Sequence, residues 1–170
     1  TILVLLAKPI HRVEFLMGKF LGLVGVLAVT VAGMTALLAG VLLVSGYAVG
    51  ASLAVAGYYA FLELFVLAAL TMVLMAFTSP VLATFFLVGL YVVGHLATSL
   101  IDLAALLPDP AAGRLLRVVF YVLPRFDLYS YTLEVVHGAA VPGAQLLWAT
   151  AYALAYAAGA LLLGLVVLRA

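Results

Sequence analysis

Four stretches of this chain stay apolar for about 20 residues or more, the length of helix that crosses the hydrocarbon core of a bilayer. The first runs from about Phe20 to Val44 without a charge and ends in the turn Ser45-Gly46-Tyr47. The second runs from about Ala51 to Phe77, with Glu63 as its one charged residue. Thr78-Ser79-Pro80 stops it, because proline removes a backbone donor and biases its predecessor away from helix. The third runs from about Val81 to Ile101, with His95 inside it and Asp102 at its end. The fourth runs from about Ala144 to Leu168 and stops at Arg169. No window alternates with period two over a strand length, which argues against a membrane β-barrel.

Two segments do not fit a span. Residues 1–19 carry Lys8, His11, Arg12, Glu14 and Lys19, a charge density found nowhere else in the chain. Residues 108–142 mix Asp109, Arg114, Arg117, Arg125, Asp127 and Glu134 with Leu, Val, Phe and Tyr. That stretch is too apolar for an ordinary loop and too short and charged to cross twice, so it reads as short helices at the interface or dipping into the bilayer. The predicted fold is an all-α polytopic transmembrane bundle of about four spanning helices. Its parts are an elbow at 1–19, three spans over 20–107, extracytoplasmic half-helices over 108–142 and a last span over 143–170.

Composition removes water as the solvent for most of this surface. Hydrophobic residues make up 69% and charged residues 8%, against about half and a quarter in soluble domains. Seven Lys and Arg nearly balance six Asp and Glu, which gives no basic footprint for nucleic acid. The absence of cysteine rules out disulfides and thiolate metal sites. Thr1 is not an initiator methionine and no signal peptide precedes the first span, so the chain reads as a segment of something longer. With four crossings both ends share a side, and that side collects Lys8, Arg12, Lys19 and Arg169. The other side has Arg114, Arg117 and Arg125, offset by acidic residues. Basic residues in short flanks favour the cytoplasm, which places both ends there, in what reads as a prokaryotic inner membrane.

Small residues form seams on two spans. Gly18, Gly22, Gly25, Ala32, Ala36 and Gly40 recur at spacings of three, four or seven, as do Ala149, Ala153, Ala157, Ala160 and Gly164. Such seams let backbones approach closely in lipid. The expectation is packing inside one bundle, with contact between two copies as the alternative.

Glu63 and His95 are the ionisable side chains deep within predicted spans, where a charge costs about 2.5–3.5 kcal/mol on insertion scales. Ser79 lies sixteen residues from each. In an antiparallel hairpin equal offsets mean equal depth, roughly 24 Å from the turn, so the two can pair. A structural pair, a polar lining for a substrate path and a proton relay are the competing roles. Tyr58, Tyr59, Tyr91, Tyr152 and Tyr156 fall within spans and read as packing residues with bonded hydroxyls. Tyr47, Tyr121, Tyr129, Tyr131 and Trp148 read as an interface belt.

The opening residues carry a resemblance. Thr1, Pro9, Arg12, Gly18 and Lys19 fall on the pattern Thr-Leu, apolar run, Pro, small polar residue, Arg, gap, Gly-Lys. That pattern resembles the cytoplasmic segment of ATP-binding-cassette permeases of the type-two, exporter-like class. His11 stands where a small polar residue is usual. Leu123-Pro124-Arg125-Phe126-Asp127-Leu128, Val141-Pro142 and the final span look like the extracellular half-helices and last helix of the same family. The resemblance implies the last four helices of a six-helix permease, working as a homodimer or heterodimer. It implies a separate ATP-binding-cassette ATPase subunit that carries ATP and Mg, with no cofactor or metal on this chain. Lys8, Pro9, His11, Arg12, Glu14 and Lys19 would then couple the bundle to that ATPase. The residues support an elbow on their own terms, since Pro9 stops a preceding helix and another can start near His11 or Arg12. Basic groups that simply anchor a helix end in headgroups are the alternative.

No phosphate-cradling G-x-x-x-x-G-K-[ST] run, no H-E-x-x-H and no G-x-S-x-G elbow occurs, so the chain is expected not to be an enzyme by itself. The rival functions are an ion- or proton-coupled secondary transporter using Glu63 and His95, and a non-transporting membrane scaffold.

Overall fold

The computed structural model describes residues 12–96, 99, 102, 113–114, 116–118, 123–130 and 142–169. Within them the chain is helical: α1 Arg12–Val44, α2 Ala51–Phe77, α3 Pro80–His95 and α4 Gly143–Arg169, with a 3-10 turn at Phe126–Tyr129 between α3 and α4. Helices α1, α2 and α4 are long and apolar enough to cross a membrane. The fold is an all-helical bundle of an integral membrane protein.

Each boundary has a local cause. Helix α1 ends in a Schellman motif: the Tyr47 N–H donates to Leu42 O at 2.9 Å and the Gly46 N–H to Leu43 O at 3.1 Å. Gly46 has φ +80 there, the left-handed position that glycine fills without strain. Helix α2 ends where Thr78 turns extended. Its N–H and hydroxyl both donate to Leu74 O, at 3.0 and 2.8 Å. Pro80 then opens α3 at its first position, where a missing N–H costs nothing.

Two differences from the predicted spans stand out. Helix α1 is 33 residues long and starts at Arg12, so the charged residues Glu14 and Lys19 belong to the same unbroken rod as the first span. Helix α3 stops at His95 after 16 residues, about 24 Å, short of the roughly 30 Å core of a bilayer. The expected span ran on to Ile101; beyond the break at Leu96, Ser99 is helical, and residues 97–98 and 100–101 lie outside the described residues.

Helix α2 is the centre of the bundle, packed on α4, α1 and α3. At one level Leu16 and Phe20 of α1 meet Ala68, Ala69 and Met72 of α2 and Ala157, Ala160 and Leu161 of α4. The Phe20 ring meets Phe65 edge-on at 5.4 Å. At the other level Tyr59, Leu62 and Val66 of α2 meet Ala149 and Ala153 of α4, with Phe126 and Tyr129 inserted beside them.

The two small-residue seams part company. On α4, Ala149, Ala153, Ala157 and Ala160 are all buried against α2, and Gly164 lies near Val73 and Leu16. On α1, a methyl built on Gly18, Gly22, Gly25 or Gly40 would meet nothing within 4 Å. Among the described residues, nothing packs against these four glycines. Helix α1 instead buries its bulky side, Leu16 and Phe20 with Leu23, Val24 and Leu27, and that side lies across the helix from the glycines. Ala32 and Ala36 face a groove of about 560 Å³ between α1 and α2, closed at its floor by Thr35 and Gly57.

Candidate functional site

The candidate site is a membrane-embedded polar cluster built where α3 stops. Glu63 sits near the middle of α2 and His95 is the last residue of α3. Their side chains are 3.3 Å apart, His95 Nε2 to Glu63 Oε1, and both are largely covered. The Tyr91 hydroxyl interacts with the same carboxylate. His95 Nδ1 is 3.2 Å from the Tyr91 carbonyl one turn earlier, which fixes the ring on its helix. Equal distance from the Ser79 turn brings the two residues to one level, and the packing of α3 on α2 turns them toward each other.

Residues 123–130 close over this pair. Gly94 lets them in: a methyl there would lie 2.5 Å from Phe126 Cδ2 and 2.6 Å from Pro124 O. Phe126 is fully buried. Its ring stacks on His95 at 5.7 Å and tilts against Tyr91 at 5.8 Å, while Tyr91 and His95 themselves lie 4.5 Å apart. From the other side Tyr152 of α4 accepts the Arg125 backbone N–H at 3.0 Å. The Arg125 guanidinium reaches Asp127 at 3.4 Å. Tyr129 is buried, and its hydroxyl has no hydrogen-bond partner among the described residues. The expectation that Tyr129 belongs to an interface belt is corrected: the 3-10 turn carries its ring inward against α2. Tyr47 and Trp148 of that belt are exposed, and Tyr121 and Tyr131 lie outside the described residues.

Non-helical backbone packed among apolar helices needs its polar groups covered or paired. Here Phe126 and Tyr129 supply the cover, and the Tyr152 hydroxyl takes the place of a helical carbonyl for the Arg125 N–H. Sequence reasoning missed this role for 123–130. The available signal was Pro124 followed by two aromatic residues flanking Asp127, in a stretch too apolar for a loop.

A second link ties α2 to α4 beside the cluster. Thr150 donates to Leu146 O at 2.7 Å, so the Tyr58 hydroxyl, 2.9 Å from Thr150 Oγ1, must donate to it. The α1–α2 groove is the contrasting cavity. Its polar groups, Thr35 and Tyr58, are already engaged, Thr35 with Val31 O, so it offers apolar contact only.

Of the residues expected to couple to an ATPase, Lys8, Pro9 and His11 lie outside the described residues. Arg12 opens α1, and Glu14 and Lys19 are exposed on its first turns. No grouping of three or more metal-ligating side chains occurs among the described residues.

Comparison with protein-family models, curated proteins and solved structures finds no match for this chain. Its function is therefore argued from its own residues.

Proposed function

We propose that this chain is the transmembrane permease subunit of an ATP-binding-cassette exporter, moving its cargo with ATP hydrolysed on a separate subunit. The observation that carries this reading is the continuity of α1. The charged opening, from Arg12 through Glu14 to Lys19, is one rod with the span that follows. Leu16 and Phe20, on its first turns, are already wedged into the core against α2 and α4. A helix has no soft joint within it, so a push delivered near Arg12 reaches the centre of the bundle undamped. A headgroup anchor needs no such linkage to the core.

The end of α3 supplies the other part a permease needs. A shortened helix whose end is covered by residues 123–130 is an arrangement in which a path across the membrane can be opened by small movements of that segment. Both chain ends would lie in the cytoplasm, the Glu63–His95 cluster would sit in the outer half of the bilayer, and two permease chains would work together on their ATPases. The apolar wall of the bundle favours a hydrophobic or amphipathic cargo.

The test is a detergent pull-down of the full-length protein with mass spectrometry as readout, for the wild type and for Arg12→Glu. Recovery of an ATPase with phosphate-loop and signature motifs, lost on charge reversal, supports the reading. A folded preparation that recovers no ATPase, and that takes up cargo under a proton gradient alone, would overturn it in favour of a secondary transporter.

A further inference from the structure

The ring of His95 touches two oxygens and, when neutral, has one proton to offer them. Nδ1 is 3.2 Å from the Tyr91 carbonyl, an atom that can only accept. Nε2 is 3.3 Å from Glu63 Oε1, which also only accepts while the carboxylate is ionised. With the proton on Nδ1, the Nε2 lone pair meets a carboxylate oxygen. With the proton on Nε2, the Nδ1 lone pair meets the carbonyl oxygen. Either neutral tautomer leaves two acceptors in contact, in surroundings where an unpaired polar atom is costly.

Among the described residues no other group relieves the conflict. Glu63 Oε1 is buried without an aligned hydrogen-bond partner among the described residues, and the Tyr91 hydroxyl is a single donor to a two-oxygen group. One added proton does relieve it. On the imidazole it keeps an Nδ1–H for the carbonyl and places a positive charge 3.3 Å from the carboxylate, turning the contact into an ion pair. On Glu63 it makes a carboxyl O–H that donates to Nε2 while Nδ1–H donates to the carbonyl.

The charges around the pair agree. The surrounding groups are Glu63 on α2, Tyr91 on α3, Arg125, Asp127 and Tyr129 in the re-entrant segment, and Tyr152 and Tyr156 on α4. Among the described residues, with neutral tyrosines and a neutral imidazole, two carboxylates stand against one guanidinium. A single proton brings the cluster to zero, the state that low-dielectric surroundings favour.

We infer that the Glu63–His95 pair is a binding site for one exchangeable proton, loaded when residues 123–130 are docked on α3. Loading forms one N–H or O–H bond with a proton taken from water, and unloading returns it. Phe126, stacked on the His95 ring, then packs against a ring whose charge depends on that proton. The site stands whether ATP or an ion gradient drives the protein.

The experiment uses the full-length protein in lipid nanodiscs with 15N-labelled histidine, scanned across pH. The His95→Gln variant identifies the His95 signals among the three histidines. Infrared difference spectra report any protonated carboxyl, assigned through Glu63→Gln. Near neutral pH the wild type should show either two protonated nitrogens on His95 or a protonated Glu63. That proton should leave in a single step as pH rises. In Glu63→Gln the amide N–H can donate to Nε2, so His95 should bind its proton at least about tenfold more weakly, one unit on the pH axis. A wild type with neutral His95 beside ionised Glu63 from about pH 6 to 8 overturns the inference. That measurement leaves the ATPase test untouched.

Discussion

Gly94 and Phe126 approach so closely that a methyl group on the glycine would lie 2.5 Å from the aromatic ring. The contact joins the end of α3 to the segment that closes over it, with Pro124 O within 2.6 Å of the same position. Glycine is needed here for space, since its backbone is ordinary helix.

Gly94→Ala should therefore push 123–130 away from α3 and cost about 1–3 kcal/mol, as overpacking does. Gly89→Ala on the same helix, where a methyl meets nothing within 4 Å, should be neutral or slightly stabilising. Shrinking the ring with Phe126→Leu should not rescue Gly94→Ala, because the Pro124 contact is backbone and remains. Unfolding curves in detergent for the four proteins check this. Equal stability for Gly94→Ala and Gly89→Ala would show that the re-entrant segment does not dock as described.

Tyr152 and Tyr58 both lend a hydroxyl to the α4 interface, with different consequences when it is removed. Tyr152→Phe strips the acceptor from the Arg125 N–H, leaving a covered donor unmet at a cost of about 1–3 kcal/mol. Tyr58→Phe removes a donor from Thr150, which keeps its own bond to Leu146 O. The expected loss is about 0.6 kcal/mol, typical of hydrogen bonds between membrane helices. Amide hydrogen exchange distinguishes them further: Tyr152→Phe should release protection at Arg125, and Tyr58→Phe should not.

The sequence made some of this legible and hid the rest for identifiable reasons. Counting from Ser79 put Glu63 and His95 at one depth because a helical hairpin converts residue number directly into height. The 3.3 Å contact also needed facing sides, which counting does not supply. The stop at His95 was hidden because Leu96 to Ile101 are as helix-compatible as what precedes them. The break coincides with the docking of distant residues against Gly94, which no local pattern announces. The rotation of α1 was hidden for a related reason. A small-residue repeat marks a face, and only the partners of the bulky face, Ala68 and Met72 on α2 and Ala160 on α4, decide which face turns inward.

Gly57 and Thr35 set the spacing of α1 and α2. A methyl on Gly57 would lie 2.5 Å from Thr35 Oγ1 and 3.3 Å from its Cβ. Gly57→Ala should separate the helices and destabilise the fold. Adding Thr35→Ala removes the hydroxyl and methyl and leaves a contact that a shift of a few tenths of an ångström absorbs. The double variant should recover most of the loss, a coupling of about 0.5–3 kcal/mol between the sites. Additive effects in a double-mutant cycle would mean that the two residues do not touch.

The contrast between the two small-residue seams gives the test that reaches from fold to assembly. Ala153 on α4 is fully buried against α2, so Ala153→Leu forces a bulky side chain between two closely packed backbones and should disrupt the bundle. Gly22 on α1 has open space around it, so Gly22→Leu should leave the isolated chain folded. If the α1 glycines receive a helix from outside this chain, Gly22→Leu should abolish that contact without lowering the stability of the chain itself. Size-exclusion chromatography with light scattering reads the assembly, and thermal unfolding reads the fold. Loss of fold in Gly22→Leu would place that glycine inside the bundle after all. An unchanged assembly would leave the outward face of α1 as lipid-facing surface, its glycines serving neither interface.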